Sequence, residues 1–372
     1  MLATAQSVIS APATEVIQDV AAFAELRSEW NRLLMSSRSD CLFLTWEWLF
    51  TWWQHLAGDR RLHLLAVRDA GRLIAIAPFA RSPRFRFGHP LETLEFLGSG
   101  FVGSDYLDVI VEDGSEEIAL RAFSDHLANA GFALRWTNVG PDSMVAGLAA
   151  RQAERQWNVS DRQINVCPYI PLSGLTWESY LAGLGAEHRY NFRRKWQRLN
   201  RDFEVRWECR EAIEIAIALH NRRWSERGTS DAFHEAELVA FHREFAPLAA
   251  GLGWLRLYTL WLDDQPAASL YGFLYRGKFY FYQSGFDPAY AKHSVGLLAM
   301  GLSIQEAFAE NATEFDLLHG DESYKAHWAK RLRDLRRFEL FPGHALGRLS
   351  GSAVELIRSA RRMASGVLNT GQ

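Results

Sequence analysis

One order of segments occurs twice in this chain, and it restricts the fold more than any single motif does. Leu62–Val67 and Leu73–Pro78 are apolar runs on either side of Asp69-Ala70-Gly71, the pattern of a β-hairpin. Strand candidates follow at Leu91–Phe96 and Tyr106–Val111. A helix then spans Glu116 to Ala130 and stops at Gly131, a residue suited to the positive φ that ends helices. Phe132–Val139 closes the set as a strand ended by Gly140-Pro141. In the second half Leu255–Trp261 and Ala267–Leu274 flank Asp263-Asp264-Gln265-Pro266, and Lys278–Ser284 follows. A helix from Val295 to Glu310 and a strand from Glu314 to Leu318 complete the second set. Helices set between strands in this order make an α/β protein with mixed sheets, and the recurrence predicts two similar halves. Identity between the halves is poor, so chance likeness of two α/β halves stays open.

At 372 residues the chain exceeds one ordinary domain. A net charge of −3 gives no global electrostatic case for a nucleic-acid partner. Cys41, Cys167 and Cys209 are scattered without a CxxC pair, which points to a reducing compartment and away from structural zinc. The most apolar stretch, Leu62 to Phe79, is broken by Arg68-Asp69 and Arg72 and is not expected to span a bilayer. No basic and apolar leader is visible. The expectation is a cytoplasmic protein, at most peripheral to the inner face of the membrane. Residues 1–14, small and polar, are expected to be disordered. Near the other end Ala353, Leu356, Ile357, Ala360, Met363, Ala364 and Val367 form a helical stripe beside Arg358, Arg361 and Arg362. Such a helix rests either on its own domain or on an anionic membrane surface.

The motifs exclude more than they assign. Gly98-Ser99-Gly100-Phe101-Val102-Gly103 has the letters of a dinucleotide fingerprint, but a strand-like segment follows where that fingerprint needs a helix. His234-Glu235 and His242 lack zinc-helix spacing, and neither a GxSxG elbow nor a P-loop is present. Ser294-Val295-Gly296-Leu297 stands in the right context for an anion, opening a helix after an extended segment and offering backbone N–H donors to a pyrophosphate. Leu297, Ile304 and Phe308 share a face of that helix, with Gly301 allowing close packing on a sheet. Arg189, Arg193, Arg194, Lys195, Arg198 and Arg201 crowd one helix between the halves, either as a solvated face or as a wall for a phosphorylated ligand.

The densest polar cluster, His319-Gly320-Asp321-Glu322-Ser323-Tyr324-Lys325, follows directly on a strand end. Asp316 alternates with Phe315 and Leu317 and is expected to face a cleft. Acyl transfer needs a base for the acceptor proton and an acid for the departing thiolate. Asp316, Asp321 or Glu322 can serve as base and Tyr324 as acid. Lys325 either joins them or forms a structural ion pair.

Phe43-Leu44-Thr45-Trp46-Glu47-Trp48 with Trp52-Trp53, Gly71 to Pro78, Arg193-Arg194-Lys195, Phe241-His242-Arg243-Glu244 and above all Glu314 to Lys325 with Trp328 carry a family likeness. Over roughly residues 40 to 340 the chain resembles the CelD/BcsL-type acyltransferases of the GNAT superfamily, linked to cellulose and exopolysaccharide synthesis and similar in turn to Fem-type peptidyltransferases. The resemblance implies tandem GNAT-like domains: an N-terminal one at 15–174, a basic connecting helix region at 175–210, and a C-terminal one at 211–343 carrying the site, followed by the basic tail 344–372. It implies an N-acetyltransferase with acetyl-CoA or another acyl-CoA as donor, held at Ser294, Val295, Gly296 and Leu297, and no metal. It also implies a small-molecule or lipid-linked sugar acceptor, contacted by Trp46, Arg193, Arg194, His319 and Trp328. The usual Arg/Gln-x-x-Gly-x-Gly/Ala loop is met here only in part, as His293-Ser294-Val295-Gly296-Leu297-Leu298.

Two other readings accompany it: a Fem-like transferase using aminoacyl-tRNA, and a non-catalytic binding or regulatory protein on the same fold. No DNA partner is expected. Arg331-Leu332-Arg333-Asp334 and Arg336-Arg337 resemble arginine motifs that bind cyclic dinucleotides.

Overall fold

The computed structural model describes residues 12–225, 233, 235–354 and 356. Its strands are β1 (Ala13–Ile17), β2 (Arg61–Asp69), β3 (Arg72–Ser82), β4 (Thr93–Phe96), β5 (Ile110–Val111), β6 (Ala133–Val139), β7 (Asn158–Pro171), β8 (Val205–Cys209), β9 (Leu255–Leu262), β10 (Gln265–Tyr275), β11 (Lys278–Phe286), β12 (Glu314–Asp316) and β13 (Arg331–Phe341). All join one sheet in the order β1-β2-β3-β4-β6-β13-β7-β12-β11-β10-β9-β8, with β5 paired to β3 off that path.

The repeat read from the sequence is visible in the pairing. Hairpin β2–β3 leads to β4, the helix Glu116–Ala130 and then β6, which lies parallel to β4. Hairpin β9–β10 leads to β11, the helix Val295–Ala309 and then β12, parallel to β11. A strand–helix–strand crossover gives parallel partners, so both units contain one parallel pair among antiparallel neighbours. The last strand of each unit changes sides: β13 lies between β6 and β7, and β7 lies between β13 and β12. Each half of the sheet is therefore completed by a strand of the other.

The aromatic segment around Trp46 to Trp53 forms the seam between the halves. Thr45 caps the helix Trp46–Leu56 by accepting from the Trp48 N–H, after a separate short turn at Leu42–Leu44. The Trp48 ring meets Phe241, Phe245, Phe273 and Tyr282 edge-on, and its indole N–H donates to Ser104 Oγ at 2.8 Å. One continuous core thus runs from the first half into the second.

Several sequence expectations are corrected. Residues 13 and 14 begin β1, whereas the earlier ones lie outside the described residues. Of Tyr106–Val111 only Ile110–Val111 is strand, because Tyr106 adopts φ 59, which breaks extended pairing. The strand at Glu314 ends at Asp316, and Leu318 turns away at φ 55. A Cβ on Gly301 would strike the rings of Phe192 and Trp328, so this glycine admits the connecting helix Ala186–Asp202 and Trp328 rather than the sheet. Apart from these corrections, the arginines of 331–337 lie on β13 in the middle of the sheet, with Arg333 paired to Glu314 and Asp316 and Arg336 to Asp161. The tail stripe falls almost wholly outside the described residues.

Candidate active site

β11 and β12 pair only from Lys278 to Tyr280 against Glu314 to Asp316. Beyond this β11 runs on to Phe286 while the other chain leaves the sheet at Leu317, and a cleft of about 550 Å³ opens between them. On its other side β11 bulges: Tyr271 faces Gln283 and Gly272 faces Phe281, which leaves Tyr282 out of the ladder. Tyr282, Ser284, Leu318, His319, Glu322 and Tyr324 are among the residues lining the opening.

His319 is held from both sides. Its ring Nδ1 lies 2.8 Å from Asp105 Oδ1, and its backbone N–H donates to Asp105 Oδ2 at 2.8 Å. Asp105 is fully buried and also accepts from the Cys167 thiol at 3.6 Å. Its negative charge raises the His319 pKa above the ordinary histidine value. With Nδ1 turned to the carboxylate, Nε2 is the nitrogen left for chemistry. Lys325 fixes the following turn: its buried amine donates to the carbonyls of His319 (2.8 Å) and Leu318 (3.4 Å) and pairs with Glu322 at 2.9 Å. Gly320 sits at φ 125, and a Cβ there would collide with the Glu322 carboxylate and the Lys325 amine.

A second cavity of about 290 Å³ adjoins the first, sharing Arg223, Ser284, Ser323 and Tyr324 and reaching Gly296, Leu297, His188 and Trp328. The two form one groove from the start of helix Val295–Ala309 to His319. Ser294 gives that helix no side-chain cap; it adopts φ 57 and its hydroxyl accepts from Lys195 Nζ at 2.7 Å. The first-turn N–H groups therefore have no capping side chain, and the nearby His188 Nε2 is buried without a hydrogen-bond partner. These donors fit an anionic group at that end. Burial pushes the Tyr324 phenol well above its ordinary pKa, so it stays protonated at neutral pH.

The structure brings together His319, Glu322, Tyr324 and Lys325 around the main opening, with Gly296, Leu297 and Trp328 at the adjoining cavity. Other expected residues lie elsewhere. Asp316 does not face the cleft: it is fully buried, accepts from Tyr106 Oη (2.6 Å), Arg333 Nη1 (3.1 Å) and the Leu318 N–H (2.8 Å), and burial lifts its pKa to about 6. Asp321 is exposed and outside the lining, and Val295 is buried in the core. Trp46 belongs to the first half, stacked on Phe50 with its indole N–H bonded to the Phe23 carbonyl. Arg193 and Arg194 are exposed on the connecting helix and do not line the groove, whereas their neighbour Lys195 reaches Ser294. Asp105, Tyr282 and His188 were missed by sequence reasoning. Asp105 had one signal, an acid directly behind a glycine-rich turn, but its partner is 214 positions away. Among the described residues no group of three or more His, Cys, Asp or Glu is arranged to hold a metal ion. Nor is any described helix long and apolar enough to cross a membrane.

Residues 186–326 match the family profile described as an acetyltransferase (GNAT) domain. No curated protein matches the chain. Among solved structures, FemX is similar at a TM-score of 0.61 with 13% identity, over 88% of this chain and 96% of that one. The C-terminal domain of a putative lysylphosphatidylglycerol synthetase from Agrobacterium fabrum is similar at 0.52 with 11% identity, over 91% and 96%. L-PGS from Bacillus licheniformis is similar at 0.51 with 11% identity, over 90% and 96%. At such identities the likeness is one of fold. The fold is a mixed α/β one around a single large sheet, with two units of like strand order, and the GNAT domain match falls in the second part of the chain.

Proposed function

We propose that this chain is an acyl-CoA-dependent N-acyltransferase of the CelD/BcsL kind, acting on an amino group of a sugar or polysaccharide precursor in exopolysaccharide or cellulose biosynthesis. The observation that carries the transfer reading is the His319–Asp105 pair at one end of a groove whose other end is an uncapped helix N-terminus. The sugar acceptor rests on the resemblance in sequence.

A bound acyl-CoA would supply an activated thioester carbonyl. The N–H groups of Gly296 and Leu297, with Lys195 and His188 beside them, would hold its phosphates. His319 Nε2 takes the proton that the acceptor amine loses as its nitrogen bonds the acyl carbon. Asp105 stabilises the resulting imidazolium and fixes the ring's orientation. The Tyr324 hydroxyl returns a proton to the sulfur as the carbon–sulfur bond breaks. Glu322 lies at the mouth, paired with Lys325, where its carboxylate can accept a hydrogen bond from the neutral acceptor amine.

Purified protein given acetyl-CoA and amino-sugar acceptors should release free thiol, and CoA should bind by calorimetry. Absence of both would defeat the proposal. A second reading, an aminoacyl-tRNA donor, is favoured by exposed Arg193, Arg194, Arg198 and Arg201 on the helix Ala186–Asp202. Steeply salt-dependent tRNA binding without CoA binding would select it.

A further inference from the structure

The first half of the sheet repeats the parting of strands that makes the cleft in the second. β4 and β6 pair only through Thr93–Leu94 and Ala133–Leu134. Beyond that point Glu95 and Ser99 on one side and Arg135, Thr137 and Asn138 on the other line a cavity of about 590 Å³. Its walls differ in charge from those of its counterpart. Arg60, Arg86, Arg135 and Arg337 line it, and Glu95 is the single carboxylate among the lining residues described.

Arg60 pairs with Glu95 at 3.3 Å, Arg135 with Glu339 at 3.1 Å and Arg86 with Asp59 at 2.5 Å. A guanidinium carries five N–H donors; Arg60 also donates to the Leu56 and Ala57 carbonyls at 3.4 and 3.2 Å, whereas the carboxylate contacts of Arg86 and Arg135 leave donors for a second anion. Two of the cations are also braced on aromatic faces, Arg135 over Phe87 at 4.6 Å and Arg60 over Trp52 at 5.4 Å, which fixes their direction. Ser99 is 7% exposed, and its hydroxyl is buried in the wall without a hydrogen-bond partner. A buried unpaired hydroxyl in a polar cavity is a vacancy that a ligand oxygen can fill.

The cavity is also connected to the chemistry. Phe101 and Val102 line both it and the cleft at His319, and Phe101 is 80% exposed. The Gly98–Gly103 turn is thus the common wall of the two openings. Gly98 and Gly100 adopt φ 82 and 105, and a Cβ on Gly98 would meet Ser104 Oγ at 2.9 Å.

We propose that the first half's cavity is a binding site for the phosphate of a phosphorylated sugar, which lies across Phe101 so that its amine reaches His319. The site stands on its own lining; only its role as the acceptor end rests on the acyl-transfer reading. The volume falls in the range of small-molecule sites, about 300–1,000 Å³. Phosphate is the recognised chemistry, whether the sugar is free, nucleotide-linked or lipid-linked.

The test is calorimetry on the full chain with glucosamine, glucosamine 1-phosphate, UDP-glucosamine and vesicles carrying a polyprenyl phosphate. Glucosamine 1-phosphate should bind at least tenfold more tightly than glucosamine. UDP-glucosamine or the vesicles, whichever binds tighter still, identifies the source. Arg86→Ala with Arg337→Gln should weaken that binding at least tenfold while leaving CoA affinity and the melting temperature unchanged. Arg86→Ala alone, at an exposed side chain, serves if the double variant is unstable. Equal affinity for the two sugars, or variants without effect, overturns the site. CoA release with glucosamine that the variants leave untouched would overturn it while sparing the transferase proposal. Phosphate-dependent binding in a protein that never releases CoA would support the site and defeat the transferase.

Discussion

Asp105 and His319 stand 214 residues apart and are joined twice, ring to carboxylate and backbone N–H to carboxylate, each at 2.8 Å. The first half thereby supplies the residue that sets the protonation of a group in the second. A general base must be neutral to accept a proton, and the Asp105 charge holds His319 above the ordinary 6.5. The rate should therefore climb with pH through an inflection above 6.5. Asp105→Asn should move that inflection downward as well as lower the plateau, and His319→Ala should reduce kcat/KM by about 10²- to 10⁴-fold. Rate–pH profiles of the three proteins check this; an unmoved inflection in Asp105→Asn would remove the pair from the mechanism.

Tyr324 bridges the two parts of the groove, and burial keeps its phenol protonated. Tyr324→Phe should lower kcat by about 10²-fold with little change in KM for the donor. A change confined to KM would make it a binding residue. Steady-state kinetics separates the two.

Lys325 and Glu322 form one ion pair but have unequal surroundings, with side chains 4% and 52% exposed. Lys325→Ala removes the donor from two backbone carbonyls in the turn after His319, and should cost about 3 kcal/mol of stability along with activity. Glu322→Gln should change stability by less than about 0.5 kcal/mol. Denaturant titration distinguishes them. An unchanged melting point in Lys325→Ala would mean that the amine does not hold the loop.

Trp48 joins aromatic side chains of both halves within one core. Trp48→Ala should cost about 3–5 kcal/mol, and the protein should still unfold in one transition. Two resolved transitions, with only one responding, would show that the halves fold independently of this seam.

The local parts of this fold were legible in the sequence. The helix Glu116–Ala130 and its Gly131 stop appear as expected, with Gly131 at φ 71, because the hydrophobic spacing and a glycine are both local signals. The hairpins β2–β3 and β9–β10 were readable for the same reason. The exchange of β7 and β13 was not, since no local pattern states which distant strand a chain will pair with. Trp46 looked like a binding residue because clustered tryptophans in a sequence do not reveal which of them pack inside one half, as Trp46 does on Phe50 and Phe23. Asp316 looked accessible from its alternation in the strand, yet Tyr106, 210 positions away, and Arg333 on β13 enclose it. The polar cluster at 319–325 was found, although the partner that gives His319 its basicity was not.

The changed places of β7 and β13 make this chain the covalent counterpart of a domain-swapped dimer. A cut between 172 and 177 would yield two fragments, each keeping the strand that the other needs and lacking one of its own. Neither fragment can close its sheet alone, but mixed together they have complementary gaps to refill. Loss or independent drift of one half is thereby barred by topology, even if only one of the two clefts performs the chemistry.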